Sequence, residues 1–392
     1  MKNAICLVSL FVLSVACADP SIVVTSCTQD AATGLVTVDY TLTDGPAIVT
    51  AAFETNGVPV ARKVHRSMIG DVNRLVSKSS GRLMWQPKPE NGAFDAAAGE
   101  LTAKLTARRP DNPPDYMVVR LDQTKRRFYY ESADDLPFGV KDARYRRDCL
   151  LMRRIPSKGV QFLMGSFSSE AGRTAANERL HQITFTNDCY MGVFECTCAQ
   201  YGRITTAFVA ADVAHNPQAS VGHEGSLRGW RSNSCRWPQN GHAVTSSLAI
   251  GKLCSRTGLL FDLPTEAIWE FAARGGSSAS PDLDKCAWYV DNAGSTVHPV
   301  GEKDGNGFGL YDILGNVRED CLDTWAADNT VFGEVDPPGL TTEDRTAFVV
   351  RGGGYNSSAA NCRLASRGSE NYSNSVFADL GFRLWCALPD EK

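Results

Sequence analysis

The sequence predicts an α+β protein in two parts. A β-sandwich spans residues 19–110, a segment over 111–149 connects, and residues 150–388 form a second domain rich in loops and poor in regular secondary structure. Three observations carry that reading. Residues 22–107 fall into short runs in which β-branched and polar residues alternate, separated by turn residues. From about Leu150 the texture changes to few periodic stretches and many Gly, Asn and Trp. Within that second part, Pro264 to Arg274 has the apolar spacing of a helix.

Taken in chain order, the first apolar run is an address rather than structure. Lys2 gives a short basic start, Ile5 to Val15 an apolar stretch and Ala16-Cys17-Ala18 an A-x-A cleavage pattern. These predict a signal peptide over 1–18, a mature start at Asp19 and export to a periplasmic or extracellular space. Lipid attachment at Cys17 competes with simple cleavage, although Ser14-Val15-Ala16 lacks the Leu that usually opens a lipobox.

Leu35 to Leu42 alternates, Asp44-Gly45-Pro46 breaks the run, and Ala47 to Phe53 resumes it before Asn56-Gly57, a hairpin signal. Gly81 to Trp85 and Leu101 to Ala107 complete a spacing that suits a sandwich of immunoglobulin type, without its Cys-Trp-Cys signature. Pro110 to Pro114 marks a break, and Tyr116 to Pro156 is charged and irregular, with strands expected to join the halves. Tyr190 to Tyr201 reads as a strand, which would put Cys196 and Cys198 on one side of it. In the helix, Pro264 fits the first turn, Ile268, Phe271 and Ala272 share a face, and Gly275-Gly276 supplies the stop.

The 392 residues carry a net charge of −4, which gives no general attraction for phosphate backbones, so nucleic acid is not expected as a partner. No apolar run after the first is long enough to span a membrane, so the mature chain is expected to have no transmembrane segment. Thirteen cysteines minus Cys6 and Cys17 leaves eleven, and in an exported chain disulfides are expected among them. Cys196-Thr197-Cys198 has the spacing of a redox pair or a soft metal site, but packing explains it equally well. Neither H-E-x-x-H nor G-x-S-x-G occurs, and Gly305-Asn306-Gly307-Phe308-Gly309 reads as a turn, not a phosphate loop.

Six blocks of the second half strongly resemble the formylglycine-generating enzyme, or sulfatase-modifying factor, family. They are Phe162 to Ser166, Tyr190 to Glu195 with Gln200-Tyr201, Leu263 to Gly276, Gly309 to Val317, Arg351-Gly352-Gly353 and Leu380 to Arg383. The resemblance implies a loop-rich fold related to C-type lectins. It also implies oxidation of a sulfatase cysteine to formylglycine, using oxygen and a copper(I) ion held by two cysteines near the C-terminus. Counted from Arg351-Gly352-Gly353, however, the first copper cysteine falls on Ser357 and the second near Ala360 to Cys362. One thiol cannot replace two for a soft ion, so copper is not expected, and Cys362 is a catalytic candidate only if an oxidase reading holds. The family's usual Trp-Glu-Trp is Arg318-Glu319-Asp320 here, and Cys321 and Cys362 are a candidate bridge.

A calcium site of the resembling enzymes maps onto the side chains of Asp312 and Glu319 and the carbonyls of Gly315 and Val317, a donor set suited to a hard cation. A candidate ligand surface comprises Arg318, Tyr355, Asn356, Ser357, Ser358, Asn361, Asn371 and Tyr372, dense in residues that serve paratope-like recognition. Three functional readings follow: a non-catalytic binding protein for a protein or carbohydrate ligand, a formylglycine-generating oxidase, and a retroelement-diversified variable binding protein.

Overall fold

In the N-terminal part, strands form where the alternation falls. The computed structural model of the chain describes residues 18–60, 68–87, 101–229, 237–238, 241–277, 279–332, 334–338, 347–371 and 376–388. The signal stretch before Ala18, and Tyr372, lie outside the described residues. The N-terminal strands are β1 (Ser21–Gln29), β2 (Val36–Thr43), β3 (Ala47–Thr55), β4 (Val58–Pro59), β5 (Met68–Gly70), β6 (Arg74–Val76), β7 (Ser80–Trp85) and β8 (Leu101–Arg108). One sheet runs β1-β2-β7-β5, and in the other β3 pairs with β4, β6 and β8. Along β2, Val36, Val38, Tyr40 and Leu42 are buried while the residues between them are not. The Phe53 ring stacks on Trp85 at 4.2 Å, and both sheets contribute to one cluster with Val36, Val38, Leu83 and Ala103. Asn56 and Gly57 take φ of 51° and 75°, as a two-residue turn between twisted strands requires.

The remaining strands are β9 (Tyr116–Arg120), β10 (Arg127–Tyr130), β11 (Cys149–Ile155), β12 (Gln161–Met164), β13 (His181–Thr184), β14 (Cys189–Gly192), β15 (Phe261–Asp262), β16 (Arg318–Thr324), β17 (Ala347–Arg351), β18 (Gly368–Asn371), β19 (Leu380–Gly381) and β20 (Trp385–Ala387). A six-stranded sheet runs β10-β9-β11-β14-β20-β15, a four-stranded one runs β18-β17-β16-β19, and β12 pairs with β13. The segment 111–149 is therefore more than a connector, because β9 and β10 belong to the central sheet of the second part. It also seats the first part. Tyr129 donates its N–H to the Asn73 carbonyl at 2.8 Å, and Glu131 accepts hydrogen bonds from Thr50 and Arg108 at 2.8 to 3.0 Å.

The helices are α1 (Cys198–Thr205), α2 (Ala249–Thr257), α3 (Glu266–Arg274) and the short α4 (Leu283–Cys286). In α3 the start lies later than the proline predicts: Thr265 is the N-cap, its hydroxyl accepting from the Ile268 N–H at 3.4 Å, and Pro264 precedes it. Nor does α3 present a single face, since every residue from Glu266 to Ala273 is buried. The strand expected over Tyr190 to Tyr201 ends at Gly192, because Thr197 and Gln200 form a capping box that starts α1. Cys196 consequently packs into the core while Cys198 opens the helix with its thiol 3.6 Å from the Pro217 carbonyl.

The ten described cysteines are free thiols, so the expected disulfides do not form among the described residues, and Cys321 and Cys362 are not bridged. Cys189, Cys196, Cys321, Cys362 and Cys386 are instead small apolar members of the main core. No helix of the described residues is long and apolar enough to cross a membrane.

Candidate functional site

A polar cleft of about 330 Å³ opens where β16 and β17 meet the loop after β17, lined among others by Arg318, Gly353, Ser357, Asn361, Ser369 and Asp379. Arg318, the first residue of β16, is held from two sides. Asp379 takes a bidentate pair at 2.8 and 3.0 Å, and Glu370 on β18 contacts the third nitrogen. The guanidinium also lies 5.5 Å from the Phe377 ring. Ser357 sits in a tight turn, where its hydroxyl accepts the Gly354 N–H at 3.0 Å. Gly353 has φ of 71°, and a Cβ built on it would stand 2.5 Å from the Cys362 sulfur. That thiol is therefore packed against the back of the loop, and burial together with nearby Cys286 pushes it up to about 12. No cysteine is among the residues lining the cleft.

Behind the cleft lies a charged scaffold. Glu266 and Glu270, one turn apart on α3, receive Arg367 at 2.5 and 2.8 Å and Arg351 at 2.5 Å. Burial alone would raise the Glu266 carboxyl, but Arg367 and Arg351 hold it below its ordinary 4.5. These pairs clamp α3 to the end of β17 and to the 363–368 loop. Arg351 and Arg367 are also among the residues lining the cleft, so this clamp forms part of its wall.

The residues expected to hold calcium lie on the inner side of the same loop system. Asp312 is buried at φ 54°; one carboxylate oxygen accepts the Gly301 N–H at 2.6 Å and the other has no hydrogen-bond partner. Glu319 has both oxygens in use, on Arg383 at 2.6 to 3.1 Å and on the Trp269 indole N–H at 2.7 Å. Glu195 joins them, accepting from Val317 N–H at 3.0 Å and from the Asn316 amide at 2.8 Å. Three buried carboxylates thus face one guanidinium. Burial and the neighbouring acids raise Glu195 well above the ordinary range, and burial pushes Asp312 up to about 6. Asp312 fits a cation because it keeps an oxygen for one, whereas Glu319 is already committed to Arg383. No group of three or more His, Cys, Asp or Glu among the described residues is arranged to hold a metal.

Of the surface predicted from sequence, Arg318, Ser357 and Asn361 line the cleft. Asn356, Ser358 and Asn371 are exposed and Tyr355 is half-buried around it. Sequence reasoning missed Asp379 and Glu370, the partners of Arg318, and gave no role to Glu195, Arg351 or Arg383, although all three stand in the quoted blocks. A signal was present: acids and arginines inside apolar blocks must be paired if they are buried.

The family model described as "Sulfatase-modifying factor enzyme 1-like domain" matches residues 153–388. The chain is 35% identical to the formylglycine-generating enzyme of Thermomonospora curvata, over 31% of this chain and 48% of that one. It is 30% identical to a protein named chaperone protein LppX of Paenibacillus barcinonensis, over 32% of this chain and 48% of that one. The chain thus spans about half the length of these curated relatives. Among solved structures, Treponema denticola variable protein 1 is similar at 25% identity and a TM-score of 0.45, over 61% of this chain and 95% of that one.

Proposed function

The chain belongs to the sulfatase-modifying factor family, and from that premise we propose that it is an exported recognition protein that does not make formylglycine. One observation carries the reading: the cleft has Ser357 where the resemblance requires the first copper thiolate, and the Cys362 sulfur lies behind Gly353. A serine hydroxyl is a hard, neutral ligand, and copper(I) needs soft thiolates. What the cleft does offer is hydroxyls, an amide and three arginines, Arg318, Arg351 and Arg367, each paired with acids. Asn356 and Ser358, on either side of Ser357 in the chain, are exposed. Such groups hydrogen-bond a polar protein or carbohydrate ligand without chemistry. Copper(I) competition titration of the reduced, folded chain tests this. Wild type and Cys362→Ala should take up the same amount of copper; loss of one equivalent in the variant contradicts the reading.

Calcium is a second element of the proposal, favoured by the unpartnered buried oxygen of Asp312. Asp312 would hold the ion, with Glu195 and Glu319 supplying negative charge near it and the carbonyls of Gly315 and Val317 as further donors. A cation binding only the folded state at a hundredfold excess over Kd stabilises by about 2.7 kcal/mol. Melting should therefore be higher in calcium than in chelator, and Asp312→Asn should erase the difference. Equal melting of the wild type in both refutes it.

A further inference from the structure

A larger cavity, about 630 Å³, shares no lining residue with the Ser357 cleft and falls in the size range of ligand sites. Its lining divides in two. Trp237 and Trp385 meet edge to face at 5.4 Å and form an apolar wall with Phe185. Thr186, Asn187 and Asp336 supply a polar one: Asp336 accepts the Thr186 N–H at 2.8 Å and contacts its hydroxyl, and the Asn187 amide donates to that hydroxyl at 3.0 Å.

Two details narrow what fits. Trp237 is only 6% exposed, yet its indole N–H has no hydrogen-bond partner. A buried donor left unmet costs about 1–3 kcal/mol, so an acceptor brought by a ligand is stabilising there. The cavity's buried acid, Asp188, is paired with Arg154 at 2.6 Å, and Asp111 at its edge with Arg109 at 3.0 Å. Of the other two charged residues lining it, Lys158 and Asp336 are opposite in sign. The site selects for no net charge.

An apolar wall, a polar wall of hydroxyl, amide and carboxylate groups, and one unmet donor match a molecule with a C–H face and a hydroxyl rim. We propose that this cavity binds an uncharged saccharide, its ring against Trp237 and Trp385, its hydroxyls on Thr186, Asn187 and Asp336, and one oxygen accepting the Trp237 N–H. The inference is independent of the reading given for the Ser357 cleft.

The experiment titrates the mature full chain with maltotriose, cellotriose and chitotriose, read by tryptophan fluorescence and calorimetry. At least one should bind saturably. Trp237→Phe keeps a ring and removes the donor, and should weaken binding about tenfold. Asn187→Ala, at an exposed position where folding is safe, should weaken it too, while Phe208→Ser, at an exposed position that does not line the cavity, leaves it unchanged. No saturable binding of any trisaccharide up to about 10 mM overturns the proposal. So does binding that both Trp237→Phe and Asn187→Ala leave intact, or binding that Phe208→Ser abolishes.

Discussion

Arg318 and Glu319 are neighbours on β16 and opposite in surroundings. Glu319 turns inward to Arg383 and Trp269 and is fully buried, while Arg318 turns to the cleft, paired with Asp379 and Glu370 and still part-exposed. The alternation of a strand puts consecutive side chains on opposite faces, so a single motif feeds two jobs. The inward set, with Glu195, Glu266, Glu270 and Arg383, is buried in the interior, and Arg351 reaches from it to the cleft wall. The outward set determines what the fold meets. No cysteine is among the residues lining the cleft, and that is the ground for proposing that the fold is kept without the oxidase chemistry.

The contrast is sharpest in stability. Arg351→Met takes one arginine from Glu270, which keeps Arg274, and one from Glu266, which keeps Arg367, and losing such a charged hydrogen bond costs about 1.5–3 kcal/mol. Urea denaturation should show a loss of that size. Asn356→Ala, on the exposed rim, should stay within about 0.5 kcal/mol. Similar losses for both would erase the distinction between scaffold and surface.

Acid gives the next largest effect. Burial would raise Asp262, but Arg228 and His242 beside it hold it below its ordinary 3.8. Glu266 and Glu178 lie below 4.5 for the same kind of reason, through Arg367 and Arg363. For carboxylates depressed in the folded state, the stability they contribute is fully present above the unfolded values and is lost as pH falls through the folded ones. Glu195 and Asp312, raised in the folded state, work the other way and add stability as pH falls toward about 5. Urea midpoints should therefore rise gently to about pH 5 and then fall with further acidification. A midpoint unchanged at pH 3 would mean the scaffold charges contribute little.

Thiol reactivity separates the faces more finely. With Cys362 pushed up to about 12, only about one in ten thousand of its thiols is ionised at pH 8. Iodoacetamide followed by peptide mass spectrometry should label it only as fast as the chain unfolds. Rapid labelling in the folded protein would bring that sulfur back toward the cleft.

How much of this was legible follows from the same comparison. Strands β2, β7 and β8 were readable because one face of each is more buried than the other, so their periodicity is visible in the residues, whereas β3 opens on four consecutive buried residues and was readable from the breaks on either side of it. Helix α3 was readable by its length and its glycine stop, but its cap was misplaced because Pro264 and Thr265 are both good beginnings and only the hydroxyl reaching Ile268 N–H decides between them. Cys196 and Cys198 were misassigned because a run of buried residues looks like a strand, and the capping box that ends it depends on Gln200 folding back. In the cleft, Ser357 and Arg318 could be placed by counting along family motifs. Glu370 and Asp379 could not, since they lie 52 and 61 residues from Arg318 and only the β18-β17-β16-β19 sheet brings them together.

We propose that this member of the family keeps the scaffold without the oxidase chemistry. Incubating the reduced chain with copper(I), oxygen and a cysteine-containing sulfatase peptide, then trapping and weighing the product, measures it most directly. The peptide should stay a thiol at every copper level. Copper-dependent conversion to the aldehyde, lost in Cys362→Ala or Cys198→Ala, would contradict it.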